Sequence, residues 1–199
     1  MKVLLIGASG TIGNGVYQHL KDRHEIITAG RNSGDYRFDL KDRVSMKKMF
    51  ADIGQVDAII CASGEARWKP LLELTEEDFY LGIHSKLMGQ VMVVAEGHKI
   101  VSTGGSITLT TGILADNPVA TSSAAAMVNG GIHSFVIGAA RELAGKVRIN
   151  VISPGLLEES AEKYADYFPG FVPVPMKTVA AAYQRSLEGI FTGDVVRVY

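Results

Sequence analysis

The sequence is poor in the features that mark a special habitat. It holds one cysteine, Cys61, which cannot close an internal disulfide and suits a reducing, cytoplasmic setting. Neither sign of charge is in excess. Twenty basic and 21 acidic residues leave a formal net charge of −1, so no global field draws the chain to nucleic acid or to an anionic membrane. No window approaches the roughly 18 consecutive apolar residues of a membrane span. The N-terminal apolar run, Val3 to Ile6, is too short for a signal-peptide core, and glycines follow at once. Internal repeats, low-complexity tracts and linker-like stretches are missing, and no cluster of His, Cys, Asp and Glu has metal-ligand spacing. With 199 residues, one unit spanning 1–199 around one core is expected.

What is present is an alternation. Short apolar runs rich in Val and Ile recur at 2–7 (KVLLIG), 25–30 (EIITAG), 57–62 (DAIICA), 106–112 (SITLTTG), 148–153 (RINVIS) and 194–199 (DVVRVY). Consecutive apolar positions of this kind fit strands covered on both faces; YRFDL (36–40) is a shorter addition. Between them, helical patterns occupy 12–22, 42–52, 75–97 and 121–144. Thr75 with an acid three residues on starts the third, as a capping box does. In the fourth, Val128, Ile132, Phe135, Val136 and Ala139 recur at helical steps. Strands alternating with helices predict right-handed βαβ units and a mainly parallel sheet, a doubly wound α/β fold of three layers, α/β/α.

The first strand leads into GASGTIG, with Gly7, Gly10 and Gly13 opening a helix. Free backbone N–H groups and the positive end of a helix dipole at such a turn hold a pyrophosphate, and the glycines allow the tight turn and close packing of a Rossmann dinucleotide site. Ser9, Thr11 and Ile12 fall in the same turn. No GK[ST] follows, which argues against a nucleotide triphosphatase loop. NAD-selective sites carry an acid at the end of the second strand. Here that strand ends in Arg31, followed by Asn32 and Ser33; a guanidinium suits a 2′-phosphate, so NADP is expected ahead of NAD.

These motifs resemble the short-chain dehydrogenase/reductase family from Met1 to about Gly155, and again in TGDVVRVY at the C-terminus. The glycine spacing G-x-x-G-x-x-G is similar to that of the family's extended and atypical subgroups. The resemblance implies adenine contacts at Asp39 and Leu40 of FDLKD, ribose-side contacts at Ala62, Ser63 and Gly64 of CASG, and nicotinamide-end contacts at Pro154 and Gly155 of VRINVISPG.

The family's chemistry uses a Ser, a Tyr about 13 residues later and a Lys four beyond it. Counting from the fifth strand and from the helix end places these positions at Gly112, Ala125 and Asn129. None supplies the reactive group, and no tyrosine stands between Tyr80 and Tyr164. General acid–base help is worth roughly 10²–10⁴-fold, so the usual mechanism is not expected. Lys86 falls at the family's fourth-helix Asn position and is the leading substitute; His84, Thr110, Thr111, Ser122 and Ser123 are weaker ones, with nothing evident to activate the hydroxyls. Cys61 reads as a buried small hydrophobe.

Residues 156–175 lie where the family carries its substrate lid, and Tyr164, Tyr167, Phe168 and Phe171 suit an apolar pocket, an interface or a local core. Ala124, Ala125, Ala126, Gly130, Gly131 and Gly138 make a small-residue helix face, and in the family the matching helix forms a seam between subunits, implying a homodimer or homotetramer. Two functions stand: an NADP(H)-dependent oxidoreductase acting on a small carbonyl or alcohol through a non-standard proton donor, or a non-catalytic nucleotide-binding protein, a redox sensor or an inactive partner subunit.

Overall fold

A computed structural model describes residues 1–199. Seven parallel strands form one sheet in the order β3-β2-β1-β4-β5-β6-β7. They are β1 (Lys2–Ile6), β2 (Glu25–Gly30), β3 (Tyr36–Arg37), β4 (Val56–Cys61), β5 (Val101–Thr110), β6 (Arg148–Pro154) and β7 (Val195–Val198). The order reverses between β1 and β4, and ligands of doubly wound sheets bind beyond the carboxyl ends of the strands at such a point.

Parallel strands must be covered on both faces, and the alternation of side chains divides the work. Leu4, Ile6, Ile59, Ile107 and Ile149 point to one layer, with α2 (Arg43–Ile53), α4 (Met88–Gly97) and α5 (Ser123–Glu142). Val3, Leu5, Ala58, Ile60 and Ile152 point to the other, with α1 (Thr11–Leu20) and α7 (Met176–Glu188). A third, smaller cluster of Ile113, Leu114, Ala125, Leu156 and Phe168 sits over the carboxyl edge of the sheet. This is the expected three-layer architecture.

Several local expectations change. The helix expected over 75–97 is broken into α3 (Glu76–Gly82), a π-helical turn (Ile83–Leu87) and α4. Its start is as expected: Thr75 and Asp78 form the capping box. A π-helical turn inserts one extra residue per turn and re-aims side chains, and such turns gather at functional sites; this one carries His84 and Lys86. The strand expected over 36–40 shrinks to Tyr36–Arg37, because the carbonyl of Asp39 closes a turn onto Asp42 N–H. The segment 156–175 contains a short helix, α6 (Glu158–Tyr164).

Helix α5 is also, by length and composition, apolar enough to cross a membrane, contrary to the reading of the sequence. Its Ile132, Val136 and Ala140 pack on the sheet, however, and Val128, Asn129 and His133 are buried beside them. It is a helix of the core.

Candidate functional site

The glycine turn is built as its sequence implies. Gly7 has φ +90°, and a Cβ there would lie 2.7 Å from the carbonyl oxygen of Ala62. At Gly13 a Cβ would meet the Gly7 carbonyl oxygen at 2.0 Å, so any side chain would push α1 off β1. Gly10 is the N-cap of α1, with no side chain capping the helix and no acid in its first turn. The N–H groups of that turn are left for an outside anion. Ser9, Gly10 and Thr11 line one groove there, with Asn14.

Beside this turn opens a cleft of about 270 Å³ bounded by Gly7, Ser9, Arg31, Asp39, Leu40, Ser63 and Gly64. Lys41, missed in the sequence, lines it as a second cation near Arg31. Asp39 turns one carboxylate oxygen onto the N–H of Lys41 and so shapes the loop. Leu40 packs so closely on Gly89 of α4 that a Cβ there would come within 2.6 Å of its Cγ. Ala62 and Gly13, by contrast, do not line the cleft. They serve it from beneath, Ala62 by packing under Gly7. A cradle that excludes Cβ atoms, an uncapped helix start and two cations, one after β2 and one in the loop after β3, fit a dinucleotide bearing an extra phosphate.

A second cavity, of about 340 Å³, meets the first at Gly64. Gly112, Ala125 and Asn129, the three positions singled out by counting along the chain, all line it, together with Lys86, Ile12, Pro154 and Gly155. A Cβ on Gly112 would have only ordinary contacts, 3.7 Å to the Pro154 carbonyl and 3.8 Å to Asn129 Nδ2, so the packing there does not demand glycine. Asn129 is 3% exposed and its Oδ1 is buried without a hydrogen-bond partner.

Lys86 reaches this cavity because α4 is pinned behind it. Gln90, fully buried, donates from Nε2 to the Thr110 carbonyl at 2.8 Å and accepts the Thr110 N–H at 2.9 Å. That clamp fixes α4 to the end of β5, one turn beyond Lys86. The stem of Lys86 lies on Gly64, whose φ of +124° and missing side chain leave just enough room. The lysine is half-buried, and burial pushes its ammonium down to about 8; the nearby Cys61 acts weakly in the opposite sense. Cys61 is the buried small residue expected, its thiol pushed up to about 12 by burial.

The other substitutes separate cleanly. His84 points out of the cavity and stacks on Tyr80, centroids 5.6 Å apart. Ser122 bonds back to Val119 as a turn brace, and Ser123 only begins α5. Thr110 faces the α7 layer, where its hydroxyl bonds Tyr183 Oη at 2.6 Å and the Cys61 carbonyl at 2.7 Å.

Thr111 does have an activating neighbour. Its Oγ1 lies 2.8 Å from Nε2 of buried His133, and Thr111 lines the cavity. His133 is four residues beyond Asn129 on the same face of α5, a helical spacing visible in the sequence once Asn129 is singled out. Burial lowers its pKa, an effect opposed by Asp116 and reinforced by Arg197. Asp116 in turn binds Arg197 Nη2 at 2.8 Å and Tyr199 Oη at 2.5 Å, tying the end of β7 to the loop after β5.

The roof is aromatic. Tyr164 and Phe168 line the cavity with Trp68, whose ring centroid is 5.7 Å from that of Tyr164 and 6.3 Å from that of Phe168. Phe171 supports Phe168 edge-on, whereas Tyr167 is largely exposed. The loop carrying Trp68 is held by Lys69 N–H to the Thr121 carbonyl and by ion pairs of Arg67 and Lys69 with Asp78. Of the small-residue face on α5, Ala124 and Ala125 are buried and Gly131 packs on Leu87 of the same chain. Gly130 and Gly138 meet nothing, beside exposed Met127 and Ile137.

Residues 15–183 match the family model for enoyl-(acyl carrier protein) reductase. A 3-oxoacyl-[acyl-carrier-protein] reductase of Mus musculus is 25% identical over 159 residues, 74% of this chain and 67% of that protein. The structure of the protein lin1944 from Listeria innocua superposes with a TM-score of 0.98 at 46% identity over 100% of both chains. A small-chain dehydrogenase in complex with NADPH gives a TM-score of 0.87 at 26% identity, covering 100% of this chain and 96% of that one.

Proposed function

The chain belongs to the short-chain dehydrogenase/reductase family, and on that premise we propose that it is an NADP(H)-dependent oxidoreductase acting on a small carbonyl compound or the matching alcohol. The carrying observation is the junction at Gly64, where a cleft shaped for a dinucleotide opens into a separate cavity lined by Lys86, Asn129 and Thr111. A protein that only sensed the nucleotide would have little use for this second cavity. Its volume of about 340 Å³ is in the range of small-molecule sites.

Arg31 and Lys41 would hold the 2′-phosphate, the turn from Ser9 to Ile12 the pyrophosphate, and Pro154 and Gly155 the nicotinamide end. NADPH, when bound, supplies the hydride. The residues of this chain do the rest. Lys86 brings positive charge to the developing oxyanion. Thr111 gives its hydroxyl proton to the substrate oxygen and takes another from Nε2 of His133, 2.8 Å away. His133 Nδ1 has no protein partner and recovers a proton from solvent. The tyrosine used elsewhere in the family is replaced by a hydroxyl–imidazole pair. The exposed strip of α5 around Met127, Gly130, Ile137 and Gly138 would join subunits of a homo-oligomer in the cytoplasm.

The test is NADPH consumption across a panel of small ketones and aldehydes, with NADPH affinity measured in parallel. Tight NADPH binding and turnover of at least one carbonyl are expected. Tight binding with no turnover on the whole panel would replace the enzyme with a nucleotide-binding protein.

A further inference from the structure

The wall of the second cavity is chemically one-sided. None of its 18 lining residues is acidic, and Lys86 is the only cation among them. The ammonium has no ion-pair or hydrogen-bond partner, and the one ionisable group that acts on it, Cys61, is a thiol that burial keeps neutral. A half-buried charge left unpaired loses part of its hydration, and an anion from outside the chain would complete it. Asn129 adds an independent sign. Its side chain is 3% exposed, lines the cavity, and carries an Oδ1 that nothing in the protein satisfies.

The rest of the wall is flat and apolar. Trp68, Tyr164 and Phe168 stand together at centroid separations of 5.7 and 6.3 Å, with Ile113, Leu114 and Leu156 beside them. Such a wall takes an aromatic ring by face and edge contact. The charged and uncharged demands therefore fall on one small ligand, which needs a ring at one end and an anion at the other.

We propose that the substrate is a small aromatic 2-oxo acid, or in the reverse direction the 2-hydroxy acid, with Lys86 as the residue that selects its carboxylate. This rests on the oxidoreductase reading. Lys86, Asn129 and Thr111 share one cavity, so the carboxylate and the reacting oxygen are best met when they sit on adjacent carbons. In reduction the keto carbon gains the hydride that NADPH loses, and the C=O π pair moves to oxygen. That oxygen takes the Thr111 proton, leaving a 2-hydroxy acid and NADP⁺.

The protein carries its own reporter, since Trp68 is the only tryptophan of the chain and lines the cavity. The experiment is a titration of Trp68 fluorescence in the full-length, NADP⁺-saturated protein with phenylglyoxylate and with acetophenone, which differ by the carboxylate. Phenylglyoxylate is expected to bind at least about tenfold more tightly in the wild type. Lys86→Met, which keeps the stem on Gly64 and removes the charge, is expected to erase that gap, and Lys86→Arg to keep most of it. Equal affinities in the wild type, or a gap that survives Lys86→Met, would overturn the proposal. If Lys86→Met does not fold, Lys86→Gln gives the same reading. Charge-dependent binding without any NADPH turnover would sustain this selection by Lys86 and sink the oxidoreductase reading alone.

Discussion

Thr111 Oγ1 and His133 Nε2 stand 2.8 Å apart just beyond the end of β5. The pair sets a hydroxyl of the cavity wall against a buried, titratable ring behind it. A hydroxyl alone is a weak acid; an imidazole behind it lets the proton be replaced as it leaves.

Thr111→Val is therefore expected to lower kcat by roughly 10²-fold or more with NADPH affinity unchanged, while Thr111→Ser keeps most of the activity. The pH profile carries the sign. Burial lowers the His133 pKa below 6.5, with Asp116 opposing and Arg197 reinforcing the shift. Reduction, which needs the protonated ring, falls as pH rises through the lowered value, and oxidation rises over the same interval. His133→Gln should flatten both limbs in steady-state kinetics. An unchanged profile in that variant would remove His133 from the proton path.

At the other end of the cleft, Arg31 and Lys41 are the two cations facing the expected 2′-phosphate. Charge-assisted contacts to phosphate are worth more than neutral ones. Arg31→Ala is expected to weaken NADPH by about tenfold or more and to leave NADH nearly untouched, as read by fluorescence titration of each. Equal loss for both cofactors would show that Arg31 does not discriminate between them.

Tyr183 is the tyrosine most deeply placed near the end of β5, yet it lies in the α7 layer, on the opposite side of the sheet from Lys86 and Asn129. Burial pushes its hydroxyl pKa up, with a smaller opposing effect from the Thr110 hydrogen bond. Tyr183→Phe removes one buried hydrogen bond, and Thr110 keeps its bond to the Cys61 carbonyl. A loss of about 1 kcal/mol in stability is expected, with kcat unaltered. A collapse of kcat with stability intact would make Tyr183 the missing acid after all.

Glu96 ties α4 to α2. It accepts from Lys99 Nζ at 2.6 Å and from Arg43 Nη2 at 2.6 Å, with Lys47 at 3.7 Å. The hydrogen bonds from Lys99 and Arg43 hold its carboxyl down at about 2 against the usual 4.5. A folded-state pKa below the unfolded one gives stability that is complete above about 4.5 and lost as pH falls toward about 2. Thermal melts should show this acid loss in the wild type and a shallower one in Glu96→Gln. Parallel acid curves would assign the acid sensitivity to other carboxylates.

Much of the site was legible in the chain because it depends on the backbone. Gly7 and Gly13 are dictated by turn geometry and close approach, which leave a sequence signature whatever surrounds them. The two anchors in β5 and at the end of α5 likewise bring Gly112, Ala125 and Asn129 to one cavity. What the chain did not show is where neighbouring side chains point. His84 and Lys86 are two residues apart in what looked like an uninterrupted helix. A π-helical turn sends the first outward onto Tyr80 and the second into the cavity. Thr110 and Thr111 are adjacent and chemically alike, but strand alternation sends one to Tyr183 and the other to His133.

The sequence by itself determined the doubly wound sheet, the tight glycine turn after β1, the arginine after β2 and the small or amide residues Gly112, Ala125 and Asn129. All of these are set by local spacing, by hydrophobic periodicity or by the identity of single residues. Only the tertiary structure decided which polar groups share the cavity. Lys86, Asn129 and Thr111 come from three segments, with His133 behind Thr111, and Trp68 with Tyr164 and Phe168 from two further ones. Their meeting depends on how the helices pack across the sheet and on how a buried charge or carboxamide is left without a partner, and neither is written in any stretch of the chain.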